Sequence, residues 1–179
     1  MFSHKVRDDV ALRILETRHA EDLFSLIAEN RECLRKWLPW VDGTTRPEQT
    51  RNRIEISLKA FAENNGFQLG VFHKGSIAGC IGLHSIDWNN RKTSIGYWLG
   101  EAFQGRGIMT DSCKAVVDYL FKDLSLNRVE IRAAPANLKS RAVPERLKFV
   151  NEGTVRQAEW LYDHYVDHVV YGMLKEDWQ

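Results

Sequence analysis

The stretch Ile95-Gly96-Tyr97-Trp98-Leu99-Gly100-Glu101-Ala102-Phe103-Gln104-Gly105-Arg106-Gly107-Ile108-Met109-Thr110 carries the strongest structural signal in this chain. It predicts a strand, a glycine-rich turn and the first turn of a helix. The helix continues with apolar residues at the spacing of one buried face, namely Cys113, Val116, Val117, Leu120, Phe121 and Leu124. Such a turn brings unpaired backbone N–H groups and the positive end of a helix dipole to one point, and its glycines let an anion approach closely. The pattern therefore predicts a phosphate site.

Neither of the two better-known phosphate loops fits this turn. The chain has no Gly-x-Gly-x-x-Gly with an acidic residue at the dinucleotide spacing, and no Gly-Lys-Ser/Thr of a nucleoside triphosphate loop. A plain strand-to-helix turn without a ligand remains the alternative, because a lone Gly-x-Gly is a weak signal. A phosphate site here would therefore hold some other ligand that contains a pyrophosphate.

Length and composition predict one domain over residues 1–179, with 44% apolar and 27% charged residues as in an ordinary soluble globular protein. The formal net charge of +1 argues against a nucleic-acid partner. The sequence contains no apolar run of about 20 residues and no export signal, so we expect no membrane partner. The three cysteines are far apart and lie in apolar surroundings, which is typical of reduced thiols in a cytoplasmic protein.

The predicted elements follow the order β-α-α-β-β-β-α-β-α-β-β around a mixed sheet. Strands are expected over residues 10–15, 67–73, 76–86, 92–99, 128–134, 154–162 and 165–174. Helices are expected from Thr17, from near Pro47, after the glycine turn, and over residues 139–148, where Pro144 fits the first or second turn. The result is an α/β (α+β) fold with about seven strands and about four helices.

This order resembles the GCN5-related N-acetyltransferases (GNATs), in which a turn Gln/Arg-x-x-Gly-x-Gly/Ala binds the pyrophosphate of acetyl-coenzyme A. The turn here is Gln104-Gly105-Arg106-Gly107-Ile108-Met109. The chain is most similar to the ribosomal-protein N-terminal acetyltransferases of the RimJ/RimL type, in the segments Trp37-Leu38-Pro39-Trp40, Ile95-Gly96-Tyr97-Trp98-Leu99, Asn127-Arg128-Val129-Glu130, Asn137-Leu138-Lys139-Ser140 and Glu145-Arg146-Leu147-Lys148-Phe149. The resemblance implies a mostly antiparallel GNAT sheet that splays between its fourth and fifth strands, and it implies acetyl-CoA as co-substrate.

The resemblance also implies roles for individual residues on the coenzyme side. Backbone N–H groups around Trp98 and Leu99 would polarise the thioester carbonyl. The pyrophosphate would lie against the backbone of Gln104, Gly105, Arg106, Gly107, Ile108, Met109 and Thr110. Ser140 would protonate or hydrogen-bond the leaving sulfur, with the cap of a short helix as its alternative role. Asn137 would bond the pantetheine arm, with a turn position as its alternative role.

Three positions depart from the family pattern. Met109 stands where Gly or Ala is usual but keeps its N–H, and Lys148 replaces a glycine before Phe149. Ser94 stands where many relatives carry a glutamate, which removes one candidate general base. His84, in a strand, is the candidate base that remains, with a structural histidine as the alternative. No metal is expected, because the histidines and aspartates of the last hairpin lack convincing ligand spacing.

The acceptor side is less well defined by the sequence. Trp37, Trp40 and Tyr97 are predicted to line the acceptor cleft, with core packing as the alternative for one of the tryptophans and for Tyr97. An α-amino group, with a pKa of about 7.7–8.0, is neutral over a hundredfold more often at pH 7 than a lysine, so it can react with a weak base. We therefore expect acetylation of a protein N-terminus, such as that of a ribosomal protein.

Two other functions stay open at this stage. The acceptor could be a small amine such as an aminoacyl nucleotide, a polyamine or an antibiotic, or the protein could bind coenzyme A as a regulator without turnover. The segment from Arg31 to Arg53 is not notably acidic, which disfavours a polyamine. Related enzymes often pair through the last hairpin, so the resemblance also implies a homodimer.

Overall fold

The computed structural model describes residues 3–179, and its eight strands form one sheet in the order β1-β2-β3-β4-β5-β6-β8-β7. All neighbouring strands are antiparallel except β5 and β6, which are parallel. The strands are β1 Ser3–Arg7, β2 Val10–Ile14, β3 Gln68–His73, β4 Ser76–Asp87, β5 Lys92–Leu99, β6 Arg128–Ala133, β7 Val150–Leu161 and β8 His164–Leu174. The helices are α1 Ala20–Glu29, α2 Arg31–Arg35, α3 Pro47–Ala62, α4 Ile108–Lys122 and α5 Leu138–Arg146.

The predicted fold class is confirmed, with one more strand and one more helix than expected. The extra strand, β1, lies in the polar opening segment and has no buried residue, so it lacks the apolar alternation that reveals a strand. The extra helix, α2, has only five residues and one buried side chain. β7 begins at Val150 and not near residue 154, because most of this strand is exposed and carries little apolar patterning.

Helices cover both faces of the sheet. On one face, α4 buries Ile108, Cys113, Val116, Val117 and Leu120 against the strands, and α5 packs beside it. On the other face, α1 and α3 bury Leu23, Ile27 and Ile54 together with Phe72 and Cys80 of the sheet. None of the helices in residues 3–179 is long and apolar enough to span a membrane.

The parallel strands β5 and β6 separate before they end. Their pairing runs from Lys92 and Arg128 to Ile95 and Ile131. β5 then continues to Leu99 and β6 to Ala133 without pairing with each other, while each keeps its antiparallel neighbour on the outer side. The predicted splay is therefore present, and with β1 counted it lies between the fifth and sixth strands.

Candidate active site

The gap between β5 and β6 exposes backbone groups of β5. The Gly100 N–H donates to the Ala78 carbonyl on the β4 side at 2.9 Å. Because the direction of the peptide groups alternates along a strand, the N–H groups of Tyr97 and Leu99 face the gap and that of Trp98 faces β4. The side-chain Nε2 of Gln104 donates to the Leu99 carbonyl at 3.2 Å, which agrees with this direction. The Leu99 N–H therefore faces the gap. The Trp98 N–H faces β4 instead, which corrects the prediction that it would polarise the thioester carbonyl.

The glycine-rich turn forms a cradle of unpaired amides before α4. Gly105 and Gly107 have φ angles of 73° and 74°, in the left-handed region that favours glycine. None of the six N–H groups from Gly105 to Thr110 donates a hydrogen bond to a residue that the structure describes. The Gln104 N–H is different, since it already donates to the Glu101 carbonyl at 3.2 Å. Six free donors at a helix N-terminus suit a pyrophosphate.

Arg7 of β1 supports this turn, and sequence reasoning missed it. Its Nη1 donates to the Arg106 carbonyl at 3.1 Å and to Asp111 Oδ2 of α4 at 2.9 Å. Its Nε donates to Asp9 Oδ1 at 2.7 Å, and this hydrogen bond lowers the pKa of Asp9. The Arg106 side chain is itself exposed beside the predicted phosphate position. The sequence contained no signal for Arg7, because its strand was not predicted.

Ser140 lies in the first turn of α5, and its backbone is held from two sides. Its N–H donates to Asn137 Oδ1 at 3.2 Å, so Asn137, and not Ser140, caps the helix. Its carbonyl accepts a hydrogen bond from the Tyr97 hydroxyl at 2.8 Å. Pro144, four residues later inside the helix, has no N–H to give to that carbonyl. The hydroxyl of Ser140 makes no hydrogen bond within the part of the chain that the structure describes, so it is available to a ligand.

Gln104 and Lys139 connect the two sides of the gap. Lys139 Nζ, on α5, donates to Gln104 Oε1 at 2.9 Å, and the same Gln104 side chain donates to Leu99 on β5. The chain before Ser140 is therefore linked to the end of β5. These hydrogen bonds bring Leu99, Gln104 and the first turn of α5, which contains Ser140, together at the gap.

A cavity of about 350 Å³ lies between α3 and the face of β4 and β5. Its wall includes Trp40, Arg53, His84, Gly96 and Trp98. The rings of Trp40 and Trp98 lie 6.2 Å apart between centroids, at an angle of 57°. Trp40 thus lines a cavity, and its contact with the acceptor stays a prediction. Trp37 is half-buried and is not among the residues that line this cavity, so the cavity gives no support to its predicted contact with the acceptor.

His84 lies at a β-bulge of β4 and is exposed towards this cavity. Its ring sits over Gly96, since a Cβ at position 96 would be only 2.9 Å from the His84 Nε2. A side chain at this position of β5 would displace the imidazole from its place over the strand. His84 is therefore a partly solvated histidine on the acceptor face and not a buried structural one.

Tyr97 was expected to contact the acceptor, but its side chain has another role. The ring packs with the apolar cluster on the α4 side of the sheet, and its hydroxyl bonds the Ser140 carbonyl. Burial raises the pKa of Tyr97 well above its ordinary value, so the phenol keeps its proton and remains a donor. Tyr97 thus belongs to the support of α5, and only the strand backbone at this position borders the acceptor cavity.

A histidine–carboxylate pair on the last hairpin was also missed. His168 Nε2 lies 3.5 Å from Glu159 Oε2, and the side chains are only 19% and 33% exposed. Val169, the next residue, pairs with Ala133 at the end of β6, so His168 lies level with the gap. By strand alternation it shares the sheet face of Trp98. The signal that could have revealed this pair is a glutamate and a histidine on the two predicted strands of one hairpin.

The cysteines and possible metal ligands carry little further chemistry. Burial raises the pKa of both Cys80 and Cys113 to about 12, so neither is a thiolate at neutral pH. Among residues 3–179, no three His, Cys, Asp or Glu side chains are grouped as metal ligands. The backbone amides of the gap and the turn, Ser140, and the histidines on the Trp98 face of the sheet remain the candidate reactive groups.

Comparisons with known proteins agree with this geometry. The sequence matches the profile of the acetyltransferase (GNAT) domain over residues 9–150. YdaF of Bacillus subtilis (strain 168), which carries a provisional ribosomal N-acetyltransferase name, is 40% identical over 180 residues, which cover 100% of this chain and 98% of YdaF.

Two solved structures extend the similarity to coenzyme complexes. RimL, a ribosomal L7/L12 alpha-N-protein acetyltransferase in complex with coenzyme A, superposes with a TM-score of 0.94 at 28% identity and covers 98% of this chain and 99% of its own. The microcin C7 self-immunity acetyltransferase MccE, in complex with acetyl-CoA and AMP, gives a TM-score of 0.92 at 29% identity over 97% of this chain and 96% of its own. The chain therefore belongs to the GNAT acetyltransferase family and is an acetyl-CoA-dependent N-acetyltransferase.

Proposed function

We propose that the enzyme acetylates the N-terminal α-amino group of a protein, such as a ribosomal protein. The observation that carries the proposal is the position of the acceptor cavity. Gly96 and Trp98 of β5 form part of its wall, and the neighbouring Leu99 amide faces the gap. An amine in the cavity and a thioester in the gap would thus meet across a single strand. The names of YdaF and RimL support a ribosomal acceptor, which agrees with the expected cytoplasmic location.

The proposed transfer is a direct attack in a ternary complex, with acetyl-CoA as substrate. The Leu99 N–H stabilises the charge that develops on the carbonyl oxygen. His84, or His168 paired with Glu159, accepts the proton that the attacking amine loses. Ser140 gives a proton to the departing sulfur and is reprotonated from solvent, so the products are the acetylated amine and free coenzyme A. The neutral, buried Cys80 and Cys113 disfavour a route through an acylated cysteine.

The proposal extends the predicted roles on the coenzyme side. The amides of Gly105, Arg106, Gly107, Ile108, Met109 and Thr110 hold the pyrophosphate, with charge from the exposed Arg106 side chain. Asn137 caps α5 with its Oδ1, and its Nδ2 remains to donate to the pantetheine arm. Gln104 contributes its side chain, because its own N–H is already bonded.

A small heterocyclic amine is the second candidate acceptor. Trp40 and Trp98 form two aromatic walls of the cavity, and such walls can stack on a base as well as on a peptide side chain. MccE, a similar structure, was solved with AMP beside acetyl-CoA. Turnover with small heterocyclic amines but with no peptide would favour this candidate over the first.

The experiment that tests the function measures free-thiol release from acetyl-CoA with N-terminal peptides whose lysines are blocked. We expect turnover with unblocked N-termini and none when the α-amino group is also blocked. Ser140→Ala should lower kcat about a hundredfold with little change in acetyl-CoA affinity, because it removes a proton donor to the leaving group. Ser76→Ala, at an exposed hairpin position, is the matched control. An unchanged kcat in Ser140→Ala would contradict the role of Ser140.

We also propose that the enzyme is a homodimer that pairs through β7. This strand is the last in the sheet, and its outer edge pairs with no strand of the described chain. Exposed apolar side chains lie along the same hairpin, at Val150, Val155, Trp160 and Tyr165. An exposed edge of this length is a template for pairing with a second copy.

A further inference from the structure

Arg53 of α3 is a half-buried cation in the acceptor cavity. Its guanidinium stacks 4.3 Å above the Trp40 ring, and its Nη2 donates to Thr44 Oγ1 at 3.3 Å. No carboxylate of the described residues forms an ion pair with it. Burial disfavours the charged form and lowers the pKa of Arg53, although an arginine remains protonated at neutral pH. A partly desolvated cation without a counter-charge has unused capacity to bind an anion.

The rest of the cavity wall offers no negative charge to Arg53. Among the described residues that line the cavity, none is an aspartate or a glutamate. The other titratable side chains of the wall are His84 and Cys80, and burial keeps the Cys80 thiol neutral by raising its pKa. The electrostatic character of the cavity is therefore set by Arg53.

Thr50 provides a second, independent polar group beside Arg53. It precedes Arg53 by three residues on α3, which places both side chains on the same side of the helix. Thr50 also lines the cavity, is 2% exposed, and its Oγ1 has no hydrogen-bond partner in the described chain. A buried hydroxyl without a partner is uncommon in folded proteins, so the Thr50 hydroxyl is free to bond a water or a ligand group in the cavity.

We propose that the acceptor carries an anionic group, a carboxylate or a phosphate, that binds Arg53 and Thr50 while its primary amine reaches the gap. This inference rests on the proposed acetylation of a primary amine and narrows its acceptor. In a protein acceptor the anion is an acidic side chain close to the N-terminus. In a small acceptor it is a phosphate or carboxylate on the amine itself. Polyamines are excluded, because their charges would meet Arg53.

The first experiment compares acceptors that differ only in charge. One series consists of lysine-free peptides with Asp, Asn or Lys at the second or the third position, and the other pairs O-phosphoethanolamine with ethanolamine. We expect kcat/KM to be about tenfold or more higher for the anionic member, in at least one series, since a charge-assisted hydrogen bond is worth about 1.5–3 kcal/mol. Which series responds identifies the source of the anion. Equal kcat/KM values within both series would overturn the inference.

Variants of α3 then assign the preference to Arg53. Arg53→Gln should abolish the preference, and Arg53→Glu should favour the Lys peptide over the Asp peptide. Arg51→Gln, at an exposed position of the same helix, is the matched control and should retain the preference. Thermal melts check that each variant is folded. A preference for anionic acceptors that survives in folded Arg53→Gln would contradict the assignment.

A binding measurement separates this inference from the proposed function. Tryptophan fluorescence, to which Trp40 and Trp98 contribute together with the other four tryptophans, is titrated with O-phosphoethanolamine and with ethanolamine in the absence of acetyl-CoA. We expect a saturable change with the phosphate compound alone, and its loss in Arg53→Gln. If no peptide is acetylated but this binding difference holds, N-terminal acetylation fails and the anion site stands. If neither compound binds and no charge preference is found in turnover, the anion site is wrong.

Discussion

Tyr97, Ser140 and Pro144 form a small unit that is linked through the backbone carbonyl of Ser140. A proline inside a helix leaves the carbonyl four residues earlier without its usual N–H donor. In α5 that carbonyl belongs to Ser140, and the Tyr97 hydroxyl supplies the missing hydrogen bond at 2.8 Å from β5. The strand that borders the acceptor cavity thereby also positions the residue proposed to protonate the leaving sulfur.

This unit predicts that a substitution at Pro144 restores the stability and activity that a substitution at Tyr97 removes. Tyr97→Phe leaves the partly buried Ser140 carbonyl without a partner, which should cost about 1–2 kcal/mol of unfolding free energy, or about 2–8 °C in Tm. It should also lower kcat, because α5 is then less firmly positioned. Pro144→Ala restores an N–H in the helix, so Tyr97→Phe/Pro144→Ala should regain a large part of both losses. Thermal melts and thiol-release kinetics measure the two effects.

The single variant Pro144→Ala is the control for this cycle. It should change stability little, since Tyr97 already satisfies the carbonyl. If the free-energy changes of the two substitutions simply add, within about 0.5 kcal/mol, Tyr97 and Pro144 do not share one carbonyl and the explanation fails.

Single positions in the sequence indicated candidate residues of the site but not how the structure holds them. Ser140 and Asn137 could be singled out from their motif, but that Asn137 caps the helix depends on backbone angles that the motif does not encode. Lys148, which replaces a glycine, has a φ of 61°, so the backbone keeps the left-handed turn that glycine would favour. The Tyr97 side chain was assigned to the acceptor because sequence alternation does not tell which face of a sheet is which.

Among the strands, β1 is the one that the sequence pattern did not predict. Its residues are mostly polar and none is buried, so no apolar pattern revealed it, yet it places Arg7 beside the turn before α4. The family profile begins at residue 9 and does not include this strand. β5 and α4, by contrast, contain strong apolar periodicity and an unusual turn, and β5 was predicted with its exact bounds.

Arg7 should therefore matter for coenzyme affinity. Arg7→Gln removes the charge-assisted contacts to the Arg106 carbonyl and to Asp111, and with them a positive charge near the phosphate cradle. We expect the Kd for coenzyme A to rise about fivefold, with the exposure of the site moderating the effect. Isothermal titration of coenzyme A measures this change without any knowledge of the acceptor.

Lys5→Gln provides the matched control, because Lys5 lies on the same strand and is largely exposed. Its coenzyme affinity should equal that of the unchanged enzyme. Equal affinity in Arg7→Gln as well would show that the turn before α4 does not depend on β1.

At the scale of the whole molecule, element order and class could be predicted, whereas the pairing that creates the two sides of the site could not. The strand order and the parallel pair β5/β6 depend on contacts between segments over 30 residues apart, which local periodicity does not report. The family resemblance predicted that two neighbouring strands separate, and the structure shows at which residues the pairing of β5 and β6 ends. The acceptor cavity, formed by α3 and the opposite sheet face, has no sequence motif at all.

The proposed dimer is tested by sedimentation at several protein concentrations. We expect a species of twice the chain mass of 20.7 kDa. Val155→Lys places a charge on the exposed hairpin and should shift the equilibrium towards the monomer without lowering Tm by more than a few degrees. Glu48→Lys, on exposed α3 surface, is the control. A monomer at all concentrations would refute pairing through β7.

The proline in α5 also affects the order in which parts of the chain fold. α5 is short, mostly polar, and lacks one of its own backbone hydrogen bonds, so it has little tendency to form before the sheet that completes it. That sheet joins strands from both ends of the chain, through β1 and β8. We therefore expect the proposed proton donor to take its position late in folding, and a nascent chain to lack acetyltransferase activity until β8 has been synthesised.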